Sequence, residues 1–151
     1  MLFEFFYRYA KERLQSPLRQ YDKDLIYAMN YRESGKLKEA ISKYESMLTN
    51  KDHLKSGTED DKIRLFHNIG LSYVYDKQND KAIENFFKCL AIEPETESWL
   101  VPHSYFELGK IYYELGNKEK SKEMFDKTYD YDDFDFESFL EMRIANFKNR
   151  N

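Results

Sequence analysis

The chain is expected to fold as an all-α, right-handed helical solenoid: three helix pairs in series, with a flanking helix at each end. Three observations predict this. The first is self-similarity. Leu65 to Pro94, LFHNIGLSYVYDKQNDKAIENFFKCLAIEP, align with Ser104 to Tyr131, SYFELGKIYYELGNKEKSKEMFDKTYDY, when Gly70 is set on Gly109. Phe66 then falls on Tyr105, Ile69 on Leu108, Tyr73 on Tyr112, Ala82 on Ser121 and Phe86 on Phe125. The second is the frame itself, which recurs earlier as Ala28, Tyr31, Gly35, Ala40 and Tyr44. The third is the scarcity of turn formers. With Gly 5 and Pro 3 in 151 residues, there are too few tight turns for a many-stranded β architecture.

The repeats are placed at 21–54, 63–96 and 102–135, in a single domain over residues 1–151. Lys55–Lys62 and Glu97–Val101 separate them. Helix A of each repeat carries a large side chain, a small residue and an aromatic at helical spacing. Helix B carries a small residue at the crossing and an aromatic four residues on. Gly70 and Gly109 lie inside helix A, where glycine costs about 1 kcal/mol against alanine, so close helix approach is the expected compensation. Gly35 and Gly116 fall in the A–B turns, where a positive φ is needed. Pro94 stops the second B helix. Thr58 with Asp61 forms a capping-box-like start to the second A helix. Ser121 stands where the other repeats have the crossing alanine. Trp99 is expected to plug the junction between the second and third repeats.

The ends read as helices too. Residues 1–20 carry an aromatic-rich helix, LFEFFYRYAKERL, ended by Ser16-Pro17. Residues 136–151 carry a last helix with Phe136, Phe139, Leu140, Ile144 and Phe147 on one broad face. A solenoid needs such caps because each unit exposes an apolar face to the next.

A repeat of about 34 residues with this pattern is identified as the tetratricopeptide repeat. A narrower resemblance covers the C-terminal part. Val101, Pro102, Glu107, Leu108 and Gly109, followed by Phe136, Glu137, Ser138, Leu140, Arg143 and Ile144, resemble the end of the tetratricopeptide repeat protein 39 family. That family is grouped with fungal outer-membrane and inclusion-body-clearance proteins. The segment Asp24–Asn30, DLIYAMN, is similar to an earlier element of it. The resemblance implies binding rather than catalysis. It also implies cytoplasm, or the cytosolic face of an organelle.

Composition narrows the function. Net charge is −4 and the sequence pI is about 5.5, without the basic excess of a nucleic-acid binder. Aromatic residues make up 17%, which argues against disorder. A single cysteine, Cys89, excludes a disulfide framework and a multi-cysteine zinc site. No apolar run reaches the roughly 18 residues of a membrane span. The start, MLFEFFYRYA, is broken by Glu4 and Arg8 and makes a poor signal peptide. A cytoplasmic protein is the expectation.

No Gly-rich phosphate loop, GxSxG or HExxH occurs, so neither an enzyme nor a cofactor is expected. The acids Asp130, Asp132, Asp133, Asp135 and Glu137 fail as a calcium loop, because Phe134 and Asp135 occupy its fifth and sixth positions. They suit the N-terminal end of the last helix dipole. Cys89 reads as packing, and His67 and His103 lack the partners of a metal site.

By the repeat frame the inner groove is lined by helix A. Its expected partner-binding residues are Leu25 and Met29, then Arg64, His67, Asn68, Leu71 and Tyr75, then His103, Phe106, Glu107, Lys110 and Tyr113. Such a mixed, notably apolar surface suits a peptide or helix of a protein partner. The carboxylate clamp of chaperone-binding relatives would fall on Leu25, Met29, Asn68, His103 and Glu107, of which only Asn68 agrees. For the N-terminal helix, with Leu2, Phe3, Phe5, Phe6, Tyr7 and Tyr9, three readings stay open: a cap, self-association or groove filling, and a membrane-surface contact aided by Arg8, Lys11 and Arg13.

Overall fold

The computed structural model describes residues 17–96, 99–131 and 137–150, which are wholly helices and their connections. They fall into two compact units, Met1–Lys55 and Ser56–Asn151. The helix expected within residues 1–14 lies outside the described residues.

In the first unit, α1 (Gln20–Glu33) packs against α2 (Leu37–Thr49), and α3 (Lys51–Ser56) follows. Leu25, Ala28, Ala40, Tyr44 and Met47 form the buried seam. Gly35 turns the chain between the helices at φ +78°. Helix α3 covers the last residues placed in the first repeat, 51–54, and the first two of the expected spacer. Asn50 caps it, its Oδ1 accepting from the backbone N–H of Asp52 (2.9 Å) and His53 (3.2 Å). Asp24 joins all three helices. It accepts from Gln20 (3.2 Å), Lys43 (2.7 Å) and the His53 ring (3.1 Å). Burial alone would raise the Asp24 pKa, but the Lys43, His53 and Gln20 contacts outweigh it and hold the carboxyl below its ordinary value.

The second unit holds two helix pairs: α4 (Glu59–Tyr75) with α5 (Asn79–Leu90), and α6 (Leu100–Glu114) with α7 (Lys118–Thr128). Helix α8 (Glu137–Arg150) follows. Thr58 caps α4 as expected, giving and receiving the two bonds of a capping box with Asp61. Helix α5 ends at Leu90, before Pro94. Pro102 sits in the first turn of α6, where its missing N–H has no intrahelical partner to lose.

The glycines explain how closely A and B helices cross. A Cβ on Gly70 would lie 2.8 Å from the Phe86 ring, and one on Gly109 would lie 2.6 Å from the Phe125 ring. Each B-helix aromatic therefore lies directly on A-helix backbone. Ser121 fits the alanine position because its hydroxyl donates to the Gly109 carbonyl at 2.8 Å. Gly116 turns the second pair at φ +77°. The equivalent turn of the first pair uses Lys77, at φ +57°, which a side chain rarely adopts.

The pairs stack through α6, which packs on both α4 and α5. Ile63, Cys89 and Leu100 form the core of that junction, with Phe66, Ile92 and Trp99 against it, so Trp99 does plug the seam. The Asp60 carboxylate ties down the following loop, accepting from the Glu95 and Thr96 backbone (2.8 and 3.0 Å) and the Thr96 hydroxyl (2.6 Å). Helix α8 caps the stack. Its Leu140 and Ile144 are buried with Phe106 and Phe125, and Phe147 packs alongside.

Candidate partner-binding face

Within the second unit each A helix carries one stripe at helical spacing: Arg64, Asn68, Leu71 and Tyr75 on α4, then His103, Glu107, Lys110 and Glu114 on α6. The stripe is less open than the repeat frame predicted. Arg64 donates to Asp61 at 3.2 Å and is half-buried. Asn68 is buried, its amide donating to the Arg64 carbonyl at 2.8 Å. Leu71 and Val74 are half-buried and Tyr75 is 53% exposed. On α6, Lys110 reaches Glu107 at 2.7 Å and lies 5.1 Å above the Phe106 ring. Glu114 is exposed.

Leu25, Met29, His67, Asn68, His103, Phe106 and Glu107, expected to line the groove, are all buried in the chain by itself. In the second unit, His67 is taken up by the next repeat, and Phe106 and Glu107 by the last helix. His67 Nδ1 meets the Ser104 hydroxyl of the next A helix at 2.7 Å and its ring stands edge-on to Phe86. Phe106 meets α8. Tyr113, half-buried, stands edge-on to Phe147. Glu107 is clasped between Lys110 and Arg143, the latter 3.0 Å away and 4.5 Å over the Phe106 ring.

Two perturbed groups belong to this interior. Burial, with Arg143 adding to it, pushes the His103 pKa down to about 4. Its Nε2 is buried with no hydrogen-bond partner, and its ring stands edge-on to Trp99. The ring is thus a neutral core residue at pH 7. Burial pushes the Cys89 thiol up to about 11, only partly offset by Ser104 at 3.4 Å. A thiol so placed packs and does not react. No group of three metal-ligating side chains comes together among the described residues, and none of their helices is long and apolar enough to cross a membrane.

What the stripe can do follows from which charges are already used. Arg64 and Lys110 are committed to Asp61 and Glu107. The solvent-facing part of this face holds Leu71, Val74 and the 53% exposed Tyr75, bordered by Glu114 and the outer parts of Lys110 and Tyr113. That is an apolar and aromatic strip with a polar edge, suited to the apolar side of a peptide or helix.

Residues 63–96 and 102–133 each match the tetratricopeptide repeat model. The match supports a tetratricopeptide repeat protein. Its two repeats coincide with α4–α5 and α6–α7, the pairs stacked in the second unit. The pair α1–α2 lies outside the matched residues. No curated protein matches the chain, and the narrower resemblance to the tetratricopeptide repeat protein 39 family has no support.

Sequence reasoning missed three features of this region: the Glu107–Arg143 clasp, the Asp60 loop anchor and the left-handed Lys77. Only the last carried a signal, since Lys77 aligns with Gly116 in the repeat frame. The membrane-surface alternative rests on residues 1–14, outside the described residues.

Proposed function

We propose that the chain is a protein-interaction module, an adaptor or scaffold that binds a peptide or helix of a partner along the A-helix face of its second unit. The observation that carries the reading is the solvent contact kept by Leu71, Val74 and Tyr75 on one face of an A helix whose neighbours Ile63, Leu65, His67 and Ile69 are buried. The match to the tetratricopeptide repeat, whose members bind protein partners, supports it. No catalytic or cofactor role is part of this reading, and it goes with a cytoplasmic location.

An affinity pull-down from native lysate, read by mass spectrometry, tests it. The bait is the full chain, compared with Leu71→Glu combined with Tyr75→Glu. Both positions keep solvent contact, so circular dichroism should show the variant folded. A partner retained by the wild type and lost by the variant supports the reading. A partner set unchanged by the variant refutes the assignment to this face.

A further inference from the structure

A second site emerges where α6, α7 and α8 meet. They line an open cleft of about 320 Å³. Its floor is aromatic: Tyr113, Phe125 and Phe147, with Phe147 packed 5.3 Å from Tyr113 and 5.6 Å from Phe125 between ring centres. Its rim is cationic, formed by Lys118, Lys122 and Lys148, all solvent-exposed. The Ser121 hydroxyl, also in the wall, is spent on the Gly109 carbonyl. Lys122 pairs with Asp126 at 2.6 Å. Lys118 and Lys148 pair with no carboxylate among the described residues, and Lys148 instead rests 5.9 Å above the Phe125 and Tyr129 rings. In a chain of net charge −4, the two ammonium groups of Lys118 and Lys148, beside the already paired Lys122, leave positive charge at the edge of an aromatic floor.

We propose that this cleft is a docking site for an acidic segment of a partner protein, taking one bulky apolar side chain onto the aromatic floor and its flanking carboxylates onto the lysine rim. The volume sets the scale. Small-ligand clefts run from about 300 to 1,000 Å³, so this one accepts a single large side chain and not a helix. The rim sets the sign: a carboxylate on either side of that side chain meets Lys118 and Lys148, while a cationic or neutral segment leaves them unpaired. The site is independent of the strip on α4, sharing only the border residue Tyr113. It is built by the capping helix, so it exists only at the end of the stack.

The probe is a fluorescein-labelled peptide, Glu-Glu-Phe-Glu-Glu, titrated with the full chain and read by fluorescence anisotropy. Saturable binding is expected, weakened about tenfold or more by Lys118→Glu combined with Lys148→Glu, as two reversed ion pairs imply. A peptide with glutamine in place of glutamate should lose binding to a similar extent, and binding should fall as salt is raised. These lysines are exposed, so circular dichroism should confirm that the variant is folded. Equal affinity for both peptides, equal affinity of both proteins, or no saturation up to about 1 mM chain overturns the proposal. Loss of the probe in the Leu71→Glu, Tyr75→Glu variant but not in the lysine variant places the peptide on the A-helix strip, which overturns this site and leaves the first reading standing.

Discussion

Replacing Gly70 by alanine should destabilise the second unit, although alanine is the better helix former. A Cβ at position 70 would stand 2.8 Å from Phe86 Cε1 and 2.9 Å from Cδ1 and Cζ. Carbon atoms prefer about 3.5–4.0 Å, so the ring must retreat by roughly 0.7 Å or the helices must part. Phe86 is 0% exposed, so its ring can retreat only by displacing other core atoms. Overpacking of this kind costs about 1–3 kcal/mol, and the gain in helix propensity returns about 1 kcal/mol. The net is a loss of about 1 kcal/mol, or roughly 2–4 °C in Tm for a chain of this size. The cleaner test is the double-mutant cycle with Phe86→Leu. Once the ring is gone, alanine at 70 keeps its propensity gain without the collision, and its effect should change sign, an interaction energy of about 2 kcal/mol. Urea unfolding followed by the fluorescence of Trp99 reads the relevant core, since this single tryptophan packs at the junction of the two repeats. Stabilisation by Gly70→Ala in the wild-type background, or an equal effect in both backgrounds, would refute the reasoning. Gly109→Ala, with its Cβ 2.6 Å from the Phe125 ring, should behave alike and cost more.

Three further outcomes follow from other contacts. His103 is held at about pKa 4, below the unfolded value of about 6.5; the unfolded chain therefore binds the extra proton first, and this contribution, full above pH 6.5, is lost as pH falls toward 4. It amounts to about 3 kcal/mol at most, so unfolding of His103→Phe should show a flatter stability profile across that window than the wild type. Arg143→Ala leaves the buried Glu107 with Lys110 alone and removes the stack on Phe106; a loss of about 1–3 kcal/mol is expected, with faster amide hydrogen exchange concentrated in α8. Lys77→Gly relieves a left-handed conformation that costs a side chain about 1 kcal/mol, so thermal unfolding should shift upward by a few degrees.

What could be seen in advance follows the range of the interaction. A close helix approach at Gly70 and Gly109 was legible because the repeat shows the glycine twice at the same spacing; that the Phe86 and Phe125 rings fill the approach was not. The Thr58–Asp61 cap and the turns at Gly35 and Gly116 were legible because their chemistry spans only a few residues. Helix α3 was not. It is one short turn segment held by Asn50 at its start and by His53 reaching Asp24 on α1, a contact that spacing cannot reveal. The extent of burial on the A-helix face was not legible. The frame identifies the A helices but not which of their residues meet the next helix, as His67 and Phe106 do. The Glu107–Arg143 clasp was hidden for the same reason, since it needs the position of the capping helix.

The central claim is that a partner protein lies along the A-helix strip of the second unit, and site-specific photo-crosslinking tests it most directly. A photoreactive phenylalanine analogue is placed at Tyr75 in one protein and at Phe87, a 43% exposed position on helix B, in another. Exposure of both to lysate and light should yield a discrete crosslinked protein from position 75 and none from position 87. The same adduct from both positions, or an adduct from position 87 alone, would contradict the claim.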